Sequence, residues 1–233
     1  MTDSSVAAFR VASGSGARTR VWDLPTRLFH WALAIAVIGM IGTGLSGVME
    51  WHFRLGYTVL ALLLFRLLWG FVGGRWSRFA AFIYAPRTIW RYLRGQGLPA
   101  HSVGHNPLGA GSVFALLGFL LAQVGSGLVS DDEIAAAGPL TKFVSNDTVS
   151  QATWYHAEVG KTVLIALVLL HLAAIAFYAW KRKQNLVTPM LLGDKWLTTP
   201  QPASRDDAVT RTVALLVFGL CAAAVAWVVS LGG

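Results

Sequence analysis

The strongest constraint on this chain is a series of five apolar segments, each close to the roughly 20 residues that an α-helix needs to cross a bilayer. They occupy about residues 29–48, 53–72, 108–129, 154–180 and 213–231. Lipid offers the backbone no hydrogen-bond partners, so a spanning segment must be a helix or a strand of a closed barrel. The alternating, strand-length segments typical of a barrel do not occur in the sequence. The segments therefore predict an all-α membrane protein.

Composition supports this prediction and argues against a nucleic-acid partner. Hydrophobic residues make up 55% of the chain and charged residues 13%, which is about half the charged fraction of a soluble domain. The formal net charge is +8, but the basic residues collect at the ends of the apolar segments, as the positive-inside rule describes. We therefore expect membrane lipid, and no nucleic acid, around this protein. The length suits one compact bundle.

The charges of the connecting segments predict the orientation of the bundle. Residues 10–27, 75–94 and 181–183 carry clusters of arginine and lysine, whereas residues 131–147 carry four acids and one lysine. Because the basic connections alternate with the acidic one, we expect the N-terminus in the cytoplasm. Five crossings then place the C-terminus in the periplasm.

The distribution of polar and apolar sequence predicts three parts. Residues 1–19 are polar, rich in small residues and without periodicity, which is typical of a disordered cytoplasmic tail. Residues 20–195 hold the first four apolar segments and are expected to form a four-helix transmembrane domain. Residues 196–233 form a linker and a fifth C-terminal transmembrane helix, which contains no histidine and is expected to lie at the periphery.

Four histidines lie on or beside the apolar segments, where a histidine is costly unless something satisfies it. His30 begins the first segment, His52 the second, and both His156 and His171 lie on the fourth. On a helix, the 15 residues from His156 to His171 span about 22 Å and leave the two side chains about 60° apart. The predicted topology puts His52 level with His156, and His30 level with His171. The histidines therefore form two pairs near opposite faces of the membrane.

Two such pairs suit the axial ligation of two haem groups. Imidazole is a good ligand for iron, and helical bundles hold haem between facing helices. The single cysteine, Cys221, excludes a covalent C-x-x-C-H attachment. His101 and His105 lie in a polar link, are expected to be solvated or capping residues, and are assigned no iron. Small residues that could make room for the flat ring, or else allow close helix packing, are Gly39, Gly42, Gly44, Gly47, Gly125, Ser126 and Gly127.

Three basic residues are candidates for contacts with bound groups. Arg66 interrupts an apolar run near the predicted level of the inner histidine pair. A haem propionate, a quinone carbonyl or a path to the headgroups would satisfy its charge. Arg54 and Lys161 lie near the predicted level of the outer pair and could contact the propionates of an outer haem.

Several motifs resemble bacterial cytochrome b561 and the cytochrome b subunits of hydrogenase or formate dehydrogenase. The resemblance covers about residues 20–195, and the pattern of four histidines is its most specific part; the fifth helix departs from the family core. The matching stretches are VWD at 21–23, RLFHW at 27–31, WHFRLGY at 51–57, GHNPLG at 104–109, WYH at 154–156, LHL at 170–172, KRKQNLV at 181–187 and PM at 189–190.

The resemblance implies a four-helix core that binds two haem b groups, the inner one through His30 and His171 and the outer one through His52 and His156. Such subunits lie in the bacterial inner membrane. They carry electrons between a membrane quinone, ubiquinone or menaquinone, and a periplasmic redox partner such as a c-type cytochrome. Two axial histidines leave each iron no open position, so chemistry would fall at a quinone site, expected near Arg66 and the inner haem, with a site at the outer end as the alternative. The sequence is compatible with an oligomer.

Three alternatives stay open at this point. A self-contained quinol oxidase would keep the haems and pass electrons to oxygen or superoxide. A transporter or proton channel would use the histidines and Arg66 as a relay, but such a protein should carry acids deep in its spans, and these segments carry none there. A purely structural anchor subunit would need no haem.

Overall fold

The computed structural model describes residues 16–132 and 136–232. Within these residues, five helices are long and apolar enough to cross a membrane, which confirms the predicted all-α membrane fold. In chain order, the elements are β1 (Ala17–Arg20), α1 (Leu24–Ser46), α2 (Met49–Val72), α3 (Pro86–Leu93), α4 (Pro107–Leu128), α5 (Asn146–Trp154), a π-helical segment (Tyr155–Gly160), α6 (Lys161–Trp180), α7 (Val187–Leu192), β2 (Asp194–Leu197) and α8 (Ala208–Ser230).

Two ends of the bundle are distinguished below. The inner end, predicted to be cytoplasmic, contains β1, β2, α3 and the start of α1. The outer end contains the α1–α2 turn and the connection from α4 to α5. Short polar side chains fix where three spans begin: Asp23, Asn106 and Asp207 each accept a hydrogen bond from the amide three residues later. Pro25 and Pro107 favour the same starts, because a first-turn proline loses no helical hydrogen bond.

The fourth span is one continuous helix of 35 residues, Asn146–Trp180, and begins earlier than the sequence predicts. It begins there because the Ser145 side chain caps α5. His156 consequently lies in the π-helical segment rather than at the start of the helix. A π turn holds one extra residue, so the rotation from His156 to His171 equals that of about 14 α-helical residues and leaves the side chains about 40° apart.

α2 is the central helix of the bundle. It packs against α1, α4 and α8, and its Val59, Leu63 and Trp69 are almost fully buried. The helices that surround α2 each bury one face and leave large apolar side chains exposed on the other, such as Ile35 and Leu216. An exposed apolar face on every outer helix is what a lipid-facing bundle requires.

A two-stranded antiparallel sheet at the inner end was not expected from the sequence. β1 pairs with β2, with Ala17 opposite Leu197. Arg18 and Arg20 form ion pairs with Asp194, with N–O distances of 2.5 and 2.7 Å. Residues 17–19, which fall within the tail predicted at 1–19, therefore form part of an ordered strand, because strand pairing and these ion pairs hold them. Residues 1–15 of that prediction lie outside the described residues.

The fifth span, α8, is part of the bundle rather than peripheral to it. Ala214 and Cys221 are buried in the main core, and the rings of Phe218 and Phe65 meet at 6.1 Å. Small side chains on α8 allow this approach. The β1–β2 pairing and the α2–α8 packing both join residues from before the predicted boundary at residue 195 to residues after it. The division between residues 20–195 and 196–233 therefore stays a prediction about sequence organisation.

Asp23 organises the polar interior of the inner end. Its carboxylate is fully buried and accepts hydrogen bonds from Thr26 N (2.8 Å), Gly74 N (2.9 Å), Ser77 Oγ (3.1 Å) and Trp69 Nε1 (3.3 Å). A Cβ at Gly74 would lie 2.0 Å from this carboxylate, so glycine is required there. The Asp23 network ties the start of α1 to the end of α2.

Candidate functional site

The structure brings His52 and His156 together at the outer end. Their ring centroids are 6.0 Å apart and their planes are nearly perpendicular, at 88°. An imidazole nitrogen lies about 2 Å from a bound metal and about 1 Å from its ring centre, so two imidazoles on opposite sides of one metal have centroids about 6 Å apart. The spacing therefore suits a metal held between the two rings.

A backbone carbonyl orients each of these rings. His52 Nδ1 donates to the carbonyl of Met40 at 3.1 Å, and His156 Nδ1 donates to the carbonyl of Gln123 at 2.8 Å. A carbonyl can only accept, so each neutral ring carries its proton on Nδ1. The lone pair on Nε2 is then free to bind a metal, which is the usual arrangement of a metal-ligating histidine.

A glycine one helical turn after each carbonyl makes these contacts sterically feasible. Gly44 lies four residues after Met40, and Gly127 lies four residues after Gln123. Side chains lean toward the N-terminus of a helix, so a side chain at either glycine would cover the carbonyl. A Cβ at Gly44 would lie 3.1 Å from the neighbouring histidine ring, and one at Gly127 would lie 2.8 Å away.

The other predicted small residues have different environments. A Cβ at Gly42 or Gly125 would meet nothing within 4 Å, whereas one at Gly39 would lie 2.9 Å from the Leu55 side chain. Gly47 ends α1 with a φ of +71°, a conformation that favours glycine. The structure thus separates the two glycines that contact histidines from those that serve packing or helix termination.

Two clefts, each of about 180 Å³, flank the outer histidine pair. One extends past Tyr57 between α2, α4 and the outer connection. The other extends past Lys161 between α1, α4 and the fourth span. A flat group held between the rings would project to both sides of the pair, as these clefts do. The residues that line both clefts are Met40, Met49, His52, Val124, His156 and Ala157.

Gln123 is a functional candidate that the sequence does not single out. It is buried in α4, and its side-chain Nε2 donates to the backbone carbonyl of His156 at 2.9 Å. The backbone carbonyl of Gln123 in turn accepts a hydrogen bond from the His156 ring. The side-chain amide thus satisfies a carbonyl of the π-helical segment. A Cβ at Gly160 would lie 1.9 Å from Gln123 Oε1, so this glycine leaves room for the amide. The sequence does carry a signal for this residue, because Gln123 is a polar residue within an otherwise apolar span.

The second predicted pair lies at the inner end and is held less tightly. His30 and His171 are half-buried and interact electrostatically. Among the described residues, the buried Nδ1 of His30 has no hydrogen-bond partner. His171 Nδ1 lies 3.4 Å from Ser112 Oγ, which is long for a hydrogen bond.

His105 lies beside this pair and is not solvated, contrary to expectation. Its ring packs against Trp22 at 4.7 Å and Phe82 at 4.4 Å, and it interacts electrostatically with His30 and His171. Burial, with a smaller contribution from Arg66, lowers the pKa of His105 to about 3.

The other link histidine, His101, has the capping role that the sequence predicts. Its Nδ1 accepts a hydrogen bond from the amide of Leu98 at 3.1 Å. Leu98 directly precedes the short helical turn Pro99–Ser102, so this hydrogen bond caps the start of that turn.

Arg66 is buried at the inner end, so its side chain does not reach the headgroups. Its Nη2 donates to the carbonyl of Ser77 at 3.0 Å, and the guanidinium stacks over Phe79 at 4.6 Å. Nη1 is buried and has no partner among the described residues. One donor of Arg66 is therefore available to an acceptor group in the interior.

The two outer basic candidates have different positions. Lys161 lines a cleft beside the outer histidine pair, as expected. Arg54 is exposed, pairs with Glu50 at 2.6 Å and stacks on Trp51. It does not line either cleft, because its helical neighbours draw it to the outer surface.

These observations define the class of protein: a multi-pass helical membrane protein with a pair of histidines whose ring spacing suits a bound metal. Comparison with known proteins agrees. Residues 21–193 match the family described as prokaryotic cytochrome b561. Curated relatives from Azotobacter chroococcum (27% identical; 78% of this chain, 90% of the relative) and Bradyrhizobium diazoefficiens (25%; 75% and 85%) are each named probable Ni/Fe-hydrogenase B-type cytochrome subunit. A relative from Escherichia coli K12, named as a hydrogenase 1 subunit of the same type, is 28% identical over 45% of this chain and 55% of its own length. No solved structure matches the chain.

The chain belongs to the prokaryotic cytochrome b561 family, as the sequence motifs indicated. It is thus a b-type cytochrome of the membrane, with haem b as its cofactor and electron transfer as its role. The outer pair fits such a group on three counts: the ring separation, the free Nε2 atoms and the clefts on both sides. The inner pair fits through the buried Nδ1 of His30 and Nη1 of Arg66, two polar atoms that lack partners among the described residues.

Proposed function

We propose that this protein holds two haem b groups and relays electrons across the membrane between the quinone pool and a periplasmic redox partner. His52 and His156 bind the outer haem, and His30 and His171 bind the inner one. The observation that carries the proposal is the outer pair, in which carbonyl-oriented rings stand 6.0 Å apart between two clefts.

The side chains of this chain have separable tasks. Haem b supplies a one-electron couple when bound. The carbonyls of Met40 and Gln123 hold the outer rings in the tautomer that leaves Nε2 free, and they raise the basicity of the ligands. Lys161, which lines the outer cleft, supplies a cation for a propionate. At the inner end, the unpartnered donor of Arg66 serves the same purpose or binds a quinone carbonyl.

The quinone site is proposed at the inner end, near Arg66 and the inner pair. A buried cation with one unused donor favours an acceptor such as a quinone carbonyl or a carboxylate. A quinone analogue should therefore perturb the spectrum of the inner haem in the wild type and less in Arg66→Lys. Equal perturbation in both proteins would remove Arg66 from the site.

The redox partner is proposed to be a periplasmic protein that docks at the outer end. The names of the relatives favour a Ni/Fe hydrogenase, and a c-type cytochrome is the alternative from the sequence. Co-purification of the chain from its native membranes, followed by metal analysis of the partner, distinguishes them: nickel identifies a hydrogenase, and covalently bound haem identifies a c-type cytochrome.

The haem count tests the central proposal. A pyridine haemochrome assay on the purified protein should give two haems b per chain. His156→Ala and His171→Ala should each retain about one, because each removes an axial ligand from a different site. One haem in the wild type, or two in either variant, would contradict the assignment. His101→Ala is the matched control and should retain both.

A further inference from the structure

A third pocket, of about 420 Å³, lies at the inner end, away from the outer histidine pair. It is open to the surface and is bordered by α3, the loop after α3 and the segment that follows the C-terminal end of α6. Among the described residues that line it, Arg182 carries the charge, and most of the other side chains are polar. The lining side chains used below are Tyr92, Leu98, His101, Tyr178 and Arg182.

The pocket offers several hydrogen-bond donors. The hydroxyls of Tyr92 and Tyr178 are 3.0 Å apart, so one donates to the other and the second keeps a free proton. Burial, together with this hydrogen bond, raises the pKa of Tyr92, so the hydroxyl stays protonated at neutral pH. His101 accepts from the amide of Leu98 on Nδ1, which places the proton of the neutral ring on Nε2 as a donor. The exposed Arg182 adds a cation.

The helix beside the pocket, α3, has three distinct faces. Thr88, Ile89 and Tyr92 are half-buried and face the protein, whereas Trp90 and Leu93 are each 56% exposed on a second face. A third face carries the exposed residues Arg87, Arg91 and Arg94, spaced four and three residues apart along the helix. Apolar and basic faces side by side, with a tryptophan on the apolar one, are typical of a helix that lies in the membrane interface.

We propose that this pocket binds the phosphate headgroup of an anionic phospholipid, held by Arg182 and the Tyr92–Tyr178 hydroxyl pair. The position of α3 places the pocket at headgroup level, and the cation and donors complement a phosphodiester. Leu93 and Leu98, 56% and 58% exposed beside the pocket, offer an apolar surface to the acyl chains. Basic pockets at the ends of transmembrane helices suit such headgroups.

Native mass spectrometry of the detergent-purified protein, titrated with phosphatidylglycerol or phosphatidylcholine, tests the proposal. The wild type should retain one phosphatidylglycerol and bind phosphatidylcholine more weakly. Arg182→Gln should weaken phosphatidylglycerol binding about tenfold, since it removes one charge-assisted contact. Tyr92→Phe combined with Tyr178→Phe should weaken it with the charge intact. Arg75→Gln removes an exposed arginine that stacks on Trp76 outside the pocket, and it is the matched control.

Three results would overturn the proposal. Wild-type binding by Arg182→Gln would show that the pocket does not hold the headgroup. An equal loss in Arg75→Gln would show that general surface charge attracts the lipid. Displacement of the lipid by millimolar inorganic phosphate would indicate a site for free anions rather than for a lipid. An unchanged haem spectrum in each variant shows that the bundle is intact.

Discussion

The outer and inner histidine pairs differ in how the protein holds them. At the outer end, both rings are fixed by backbone carbonyls that glycines uncover, and one of them lies on a π-helical segment. At the inner end, His30 Nδ1 has no hydrogen-bond partner among the described residues, and His171 Nδ1 lies 3.4 Å from the hydroxyl of Ser112. The protein's own carbonyls thus orient the rings of the proposed outer ligands, whereas the proposed inner ligands would depend more on a bound group for their orientation.

The order within the inner end comes from a different source. The Asp23 network and the small sheet fix the chain at the inner end through hydrogen bonds that do not involve His30 or His171. Two strategies therefore coexist in one bundle: direct orientation of the proposed ligands at the outer end and a rigid frame around the less constrained histidines at the inner end. Preorganised ligands bind more tightly and with a better-defined geometry.

The largest expected effect is at the outer glycines. Gly127→Val should displace the His156 ring, because a Cβ there would lie 2.8 Å from it. Haem content should fall from two to about one per chain, read by the pyridine haemochrome assay. Gly125→Val adds the same side chain on the same helix where a Cβ meets open space, and it should keep both haems. Equal losses in the two variants would contradict the role of Gly127.

At the inner end, Asp23→Asn should destabilise the frame. The amide of asparagine cannot accept from all four donors, so buried donors are left unpaired at a cost of about 2 kcal/mol. Thermal unfolding in detergent measures the loss. Asp207→Asn is the matched control, since it changes an exposed N-cap to a residue that caps equally well. Similar unfolding temperatures for the two variants would show that the Asp23 network contributes little.

A smaller and more specific effect is expected at Gln123. Gln123→Leu removes the side-chain hydrogen bond to the carbonyl of His156, at about 1 kcal/mol, and should loosen the proposed outer ligand. The potential of the outer haem should shift while that of the inner haem stays fixed, as followed by potentiometric titration. Ser126→Ala, which removes a weaker contact to the same ring, should shift it less. A shift of both potentials together would point to a global structural change instead.

The smallest effect concerns pH at the inner end. Burial lowers the pKa of His105 to about 3, so the unfolded chain binds a proton below its ordinary value of about 6.5 while the folded chain does not. Stability is therefore full above that value and falls as the pH decreases, by about 1 kcal/mol between pH 7.5 and 5.5. Comparison with His105→Gln isolates this contribution, since the variant should lose less stability over the same range. Identical pH profiles would show that His105 contributes nothing.

The sequence by itself determined the spans, the residues proposed as ligands and the family. Length and hydropathy decide these features, because hydrocarbon forces each apolar segment into a helix whatever its neighbours. A histidine in such a helix is also conspicuous without any structure. The sequence missed β1 and β2, because their pairing joins residues about 180 positions apart and depends on the Asp194 ion pairs.

The tertiary structure alone decided how the histidines proposed as ligands are held. Whether a glycine uncovers a carbonyl for a histidine depends on which helix lies opposite. The sequence therefore does not distinguish Gly44 and Gly127, which contact histidine rings, from Gly42 and Gly125, which do not. The π-helical segment, the Gln123 amide and the burial of His105 likewise arise from packing between helices. Hydropathy decides whether a segment can span the lipid, whereas the orientation of a histidine ring is set by the particular side chain or carbonyl of the neighbouring helix that faces it.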